Sequence, residues 1–333
     1  MRLERRESVP LALVATAPLA AIFAALVLAA GLIGAAGVIP LTAYAEMLTR
    51  ATPLILTGLA AAVAFRARLW NIGGEGQFYV GALTTAWIGH SLGLPGPIGI
   101  AVLMVCGMAA GALLLAGPAF LRLRFGVDEV VTTLLLNFIV ILFVGLMIEG
   151  PLRDPLAFGW PQSVPVDGDY RLPDLVPRTR LHIGLLIAIA AAGVIWLVLT
   201  RTVFGVETRA AGLNARAAAF AGISLPRTIM GVALVSGALA GLAGAVEVMG
   251  VTGGVTTTMS PGFGYAGIVV AMLAALHPAG VVAAAIFVAT VFVGADAMSR
   301  ATGVPSFIAD VIVALSLLTM LVALLFTTYR LRR

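Results

Sequence analysis

RLWNIGGEGQFYVGA, Arg68–Ala82, sets Asn71, Glu75 and Gln77 among closely spaced glycines at the entrance to an apolar run. Glycine tolerates backbone conformations other residues avoid, so the helix that follows is expected to start irregularly and leave amides free. What such an entrance does depends on the solvent around it. The chain is 61% hydrophobic and 11% charged, whereas soluble domains carry about 25% charged residues. The composition is that of an integral membrane protein, and the surrounding runs match the roughly 20 apolar residues a spanning helix needs.

Working outward from this entrance, ten helices are expected, near 11–36, 51–66, 75–92, 97–119, 129–149, 183–200, 228–250, 263–277, 279–297 and 306–327. The first run is too long for a signal-peptide core and reads as a retained span. All twenty basic residues are Arg. An even number of spans with cytoplasmic termini puts fourteen of them inside and six outside, the asymmetry that basic residues show across membranes. Without Lys the chain cannot form a P-loop, whose Lys contacts the nucleotide phosphates. Cys106 stands alone in an apolar run, and three scattered His provide no metal-ligand spacing. Neither a metal nor a nucleic-acid partner is expected; the direct environment is membrane lipid.

The chain reads as one transmembrane domain over 1–333 with two substantial loops. The outer loop, about 150–182, is rich in Pro and mixed in charge. The inner loop, about 201–227, has an Ala- and Arg-rich core near 208–221 that predicts a short helix on the cytoplasmic face. A weak internal repeat pairs NIGGEGQFYVGA (Asn71–Ala82) with SPGFGYAGIVVA (Ser260–Ala271). Each is a glycine-broken entry followed by a small-residue helix, and the expected topology has them face opposite sides. Paired interrupted segments of opposite orientation suggest inverted repeats around a midplane pathway.

Ionisable groups inside spans are functional candidates by default. Asp128 and Glu129 open the fifth expected span, where carboxylates cap free amides. Glu149, Asp296 and His90 lie near helix ends, and Asp310 could cap or pair with Arg300. Glu75 and Glu247 are the stronger candidates for a translocation pathway, together with Asn71, Gln77 and Asn137. Glu247 lies in GALAGLAGAVEVMG, where Gly237, Gly241 and Gly244 form a face for close helix packing. For Glu75 the reading divides between contacting a polar solute and tying down its own broken helix start. No nucleophile–base pair is present, so catalysis is not expected.

NIGGEGQFYVGA, GVDEVVTTLLLNFI (Gly126–Ile139) and RAAGLNARAAAFAGI (Arg209–Ile223) resemble the permease subunits of bacterial ABC importers. The branch is the one for branched-chain amino acids, simple sugars and nucleosides, and the wording is most similar to nucleoside-importer permeases. The resemblance runs from about residue 50 to 327. It implies an all-α fold of about ten transmembrane helices with inverted repeats, in the inner (plasma) membrane with both termini cytoplasmic. It also implies three partners: an ATP-binding subunit, a second related permease and an extracytoplasmic substrate-binding lipoprotein. No cofactor is expected on this chain, with ATP and magnesium on the ATPase.

Such permeases often carry the coupling pattern EAA–x3–G–x9–I–x–LP. Ile223, Leu225 and Pro226 fit its tail, Gly212 lies one residue too far upstream, and Glu207 only echoes its acidic start; Arg209 is grouped with them as a docking residue. The implied function is import by alternating access, of nucleosides or simple sugars. The alternative is a self-contained proton-coupled transporter that uses the membrane carboxylates.

Overall fold

The computed structural model describes residues 2–5, 40–302, 311 and 329–332. Ten α-helices fall within this range: α1 Pro40–Arg66, α2 Gly74–Gly89, α3 Gly96–Phe125, α4 Glu129–Glu149, α5 Gly184–Arg201, α6 Val203–Leu213, α7 Ala215–Phe220, α8 Leu225–Glu247, α9 Phe263–Leu273 and α10 Pro278–Thr302. Arg2–Arg5 (β1) pairs antiparallel with Tyr329–Arg332 (β2), so the two ends of the chain lie together. The expected spans 11–36 and 306–327, and Asp310, lie outside the described residues. Six described helices are long and apolar enough to cross a membrane.

Burial sorts these helices. α1 and α8 are enclosed on nearly all sides, whereas α3, α4 and α5 bury only one stripe. On α4 the remaining faces carry exposed Leu135, Phe138, Leu142 and Leu146, an arrangement that suits lipid tails. α8 packs most closely against α3 and α2, and the reason is its glycines. A Cβ on Gly241 would overlap the carbonyl oxygen of Gly107, and one on Gly237 would overlap that of Gly111. Gly244 meets the carbonyl oxygen of Phe78 in the same way. Small residues let helix backbones touch where hydrophobic burial gives no drive for association.

Two expectations change. The second span was expected at 51–66, but α1 begins at Pro40 and carries Glu46 and Arg50 inside it. Both charges are accommodated: Arg50 lies 3.3 Å from Glu46 one turn away and 2.6 Å from Asp296 on α10. Asp296 is therefore an interhelical partner. The inner loop forms two helices instead of one near 208–221. The break falls at Asn214, whose side chain accepts from Ala217 N at 3.1 Å and caps α7, because a short polar side chain offers the backbone an alternative to continuing the helix.

The outer loop is fastened to the end of α8. Residues Val248–Thr252 form a π turn, which exposes carbonyls to lateral partners. Arg171 donates to the carbonyls of Val248 and Val251 at 3.0 and 3.1 Å. Backbone bonds from Leu172, Val166 and Ser163 reach Met249, Gly253 and Val255. His182 is buried beside Gly184 and Gly250, whose added Cβ atoms would strike its ring. Its Nδ1 accepts from Gly184 N, and its Nε2 has no hydrogen-bond partner.

Burial lowers the His182 imidazole to about 4, against the opposing pull of the Asp174 carboxylate, while Arg171 lowers it further. Because the folded pKa lies below the unfolded value of about 6.5, docking of the loop is strongest above that pH and weakens as pH falls toward 4. At pH 5 the loss is about 2 kcal/mol. Hydrogen exchange at residues 163–182, corrected for intrinsic rate, is expected to accelerate at pH 5 relative to pH 7.5. Equal protection at both values would refute this account of His182.

Candidate functional site

The backbone between α1 and α2 makes the break read from the sequence. α1 closes with a Schellman pair: Leu69 N reaches Ala64 O at 3.1 Å, and Arg68 N reaches Phe65 O at 3.0 Å. Arg68 takes the left-handed conformation, φ 54°, at the position usually held by glycine. Its carbonyl accepts from Arg122 Nη1 at 2.9 Å. Asn71 Oδ1 then accepts from Gly73 N at 3.0 Å, a local turn that sets the start of α2.

One face of α4 supplies the partners that this broken backbone lacks. Glu129, Thr133 and Asn137 recur every four residues and so project from the same side of the helix. Glu129 Oε1 accepts from Trp70 N at 3.2 Å and is held by Arg122 at 2.6 Å. Thr133 Oγ1 accepts from Ile72 N at 3.2 Å. Asn137 accepts from Gly76 N at 2.7 Å and donates to Ile72 O at 2.8 Å. The NIGGEGQ and DEVVTTLLLN stretches, read separately in the sequence, are thus the two halves of one clamp. Glu129 does not cap its own helix as expected; Asp128 does, accepting from Val130 N at 2.8 Å, which leaves Glu129 free to reach across.

Asn71 and Gln77 are buried and exchange hydrogen bonds at 2.9 Å in both directions. Asn71 also donates to Ser236 Oγ on α8, which in turn donates to Ala60 O on α1. Glu75 Oε2 accepts from Gly264 N at 2.6 Å. Gly264 lies in the first turn of α9, at whose entrance Ser260 Oγ accepts from Gly262 N and Phe263 N at 3.1 and 2.8 Å. Asn71 and Ser260 hold equivalent places in the two repeated stretches, and each accepts from the amide two residues on. The starts of α2 and α9 meet so closely that a Cβ on Gly264 would overlap Glu75 N. The structure therefore brings Asn71, Glu75, Gln77 and Asn137 together around one junction.

Glu247 lies apart from that junction. It is 6% exposed and lines a cavity of about 600 Å³ bounded by α1, the outer loop, the π turn, the segment before α9, and α10. Glu46, Arg50, Arg180 and Asp296 supply the cavity's other charges, and Phe263 and Phe292 its aromatic surface. Phe263 heads α9, so the cavity ends beside the Glu75–Gly264 contact. The sequence reading missed Glu46, Arg50 and Arg180 as cavity residues. Glu46 and Arg50 occupy adjoining turns of one helix, and that spacing was the only available signal. Among the described residues no group of three His, Cys, Asp or Glu could hold a metal ion.

At the opposite end of α8, the residues expected to couple to an ATPase divide. Gly212 is buried against the carbonyl of Arg66 at the end of α1, where no Cβ would fit. Glu207 accepts from Thr228 Oγ1 at 3.2 Å and ties α6 to α8. Arg209 is exposed, Ile223 and Leu225 are half-buried, and Pro226 is exposed in the first turn of α8. Strong apolar exposures in this segment were not singled out in the sequence: Phe220 at 97%, Val203 at 73% and Leu213 at 72%.

Comparison with known proteins agrees with this architecture. The chain is 36% identical over 281 residues to the guanosine ABC transporter permease protein NupP of Bacillus subtilis, covering 82% of this chain and 79% of that protein. It is 34% identical over 278 residues to the nucleoside ABC transporter permease protein NupB of Lactococcus lactis, with 81% and 76% covered. It is also 33% identical over 354 residues to the glucose ABC transporter permease protein TsgB13 of Haloferax volcanii, with 99% and 93% covered. No solved structure matches the chain. The family described as "Branched-chain amino acid transport system / permease component" matches residues 43–328. With its apolar helices and its clamped half-helix junction, the chain belongs to this family of ABC transporter permeases and is a multi-pass transport component rather than an enzyme.

Proposed function

We propose that this chain is the membrane-spanning subunit of an ATP-driven importer of nucleosides, resident in the plasma membrane with both termini cytoplasmic. ATP and magnesium are bound and turned over on a separate subunit. A second related permease completes the pathway, and an extracytoplasmic lipoprotein delivers the solute. The fold is of the inverted-repeat type, for which the matched turns at Asn71 and Ser260 are the support. The pathway runs past Glu247 and is framed at its inner end by Asn71, Glu75, Gln77 and Asn137.

The observation that carries this reading is mechanical. α6 and α7 present exposed apolar side chains, yet α6 is fastened by Gly212 to the end of α1 and by Glu207 to α8. These same two helices supply Glu46, Arg50 and Glu247 to the cavity at their other ends. A push on α6–α7 is therefore transmitted through rigid helices to the cavity walls, which is the coupling alternating access requires. Glu207, Arg209, Gly212, Ile223, Leu225 and Pro226 form or support the docking segment. A self-contained proton-coupled transporter would leave the exposed Leu213 and Phe220 without a partner.

Nucleosides are favoured over sugars because two relatives are named as guanosine and nucleoside permeases. The test is purification from the host in mild detergent, followed by reconstitution and uptake of labelled guanosine. An ATPase and a second permease should co-purify, and uptake should require internal ATP and persist with an uncoupler. It should be competed by unlabelled nucleosides. Uptake by this chain alone would refute the ATP-driven reading, and competition by glucose without competition by any nucleoside would refute the solute.

A further inference from the structure

The three carboxylates of the cavity are not equivalent. Glu46 and Asp296 are both engaged by Arg50, at 3.3 and 2.6 Å. The Glu247 carboxylate receives no hydrogen bond and no ion pair from the described residues, although only 6% of the residue is exposed. A buried carboxylate without a donor is costly, and here the opening in front of it is the cavity. The backbone emphasises the position. α8 ends at Glu247 and passes into the π turn Val248–Thr252, an irregularity often found at functional sites.

The surroundings restrict what can supply the missing donors. A metal ion lacks ligands, since no suitable grouping exists among the described residues. Arg50 and Arg180 line the same cavity as Glu46, Asp296 and Glu247, so its charges nearly balance and a solute without net charge suits it. The volume of about 600 Å³ is in the range of small-molecule sites. Met259, Pro261, Phe263 and Phe292 give it apolar and aromatic walls. A neutral, partly planar solute with two adjacent donors fits these conditions, because the two oxygens of a carboxylate accept side by side. On a nucleoside such paired donors are the vicinal ribose hydroxyls, or the ring N–H and exocyclic amine of a guanine edge.

We propose that Glu247 is the solute-selecting residue of the permease, accepting paired donors of a nucleoside held in the cavity. This assignment rests on the nucleoside reading above. It places discrimination in the membrane subunit, at the end of α8 opposite the coupling segment, so the helix that α6 moves also carries the selecting group.

The experiment uses the complete importer in proteoliposomes, with saturating substrate-binding lipoprotein, and compares wild type with Glu247→Gln and Glu247→Asp. Uptake ratios are measured for guanosine against inosine, which lacks the exocyclic amine, and for guanosine against 2′-deoxyguanosine, which lacks one hydroxyl. Selection by the lipoprotein is common to all samples and cancels between variants. Glu247→Gln should change one of these ratios by at least about tenfold, and Glu247→Asp should restore it in part. A change in the inosine ratio assigns the base edge, and a change in the deoxy ratio assigns the ribose.

Retained uptake with both ratios unchanged in Glu247→Gln overturns the assignment while leaving the nucleoside reading intact. Wild-type vesicles that take up none of these solutes overturn both. Failure of both variants to assemble with the partner subunits, read by size-exclusion chromatography, would make Glu247 a structural residue and overturn the assignment as well.

Discussion

Gly241→Leu is expected to abolish the folded permease. The Cβ alone would overlap the Gly107 carbonyl oxygen and lie 3.1 Å from Gly111 Cα. The obstacles are backbone atoms of α3, so no side chain can rotate away, and relief requires separating two helices along their length. Gly81 on α2 meets the carbonyl of Gly241 from another side, so a shift away from α3 drives α8 into α2. Overpacking of this kind costs on the order of 3 kcal/mol or more, a large fraction of the marginal stability of a typical domain. The check is the monodisperse fraction and apparent Tm in detergent, with Gly193→Leu as control. Gly193 on α5 is exposed and would place its Cβ in open space. Wild-type yield and Tm for Gly241→Leu would show that the α3–α8 crossing is not the keystone described.

Phe220→Asp is expected to leave that fold intact and to disconnect transport from ATP. Phe220 is 97% exposed at the end of α7, so its removal takes nothing from the core. An aromatic ring left this bare on a segment bracketed by Arg201, Arg209, Arg216 and Arg227 suits a protein partner better than lipid tails. Buried aromatic anchors at such interfaces contribute about 2 kcal/mol or more, a factor of roughly 30 in affinity. Uptake and solute-stimulated ATP hydrolysis should fall by at least about tenfold. The Tm of the isolated permease should stay within 2 °C or so of wild type, as for surface substitutions. Full coupling in the variant would remove Phe220 from the docking surface, and full coupling in a Leu213→Asp, Phe220→Asp double variant would remove the surface itself.

The sequence was informative where a single helix decided the outcome. Apolar runs located the six described helices long enough to cross a membrane, with ends within about six residues, except at the start of α1. There the expected span stopped short of Glu46 and Arg50, because Asp296, which pairs with Arg50, lies about 250 residues away in the chain. The inner segment was recognised but not its division at Asn214, since capping and continuation of a short helix differ by only about 1 kcal/mol. The expectation that Glu129 caps its own helix failed for a related reason: its partner, Trp70 N, belongs to another element.

By itself, then, the sequence determined the solvent, the approximate spans, the glycine-broken entries at Asn71 and Ser260, and the family its motifs resemble. All of these follow from properties that repeat along one chain: hydropathy, glycine spacing and residue order. Only the tertiary structure decided what the polar residues do. It clamped the Trp70–Gly76 backbone with Glu129, Thr133 and Asn137, paired Asn71 with Gln77, set Glu75 against Gly264, and left Glu247 at a cavity wall without a hydrogen bond. The physical reason is that a buried polar group is defined by its partner. In lipid that partner comes from another helix, at a sequence separation that no local pattern encodes.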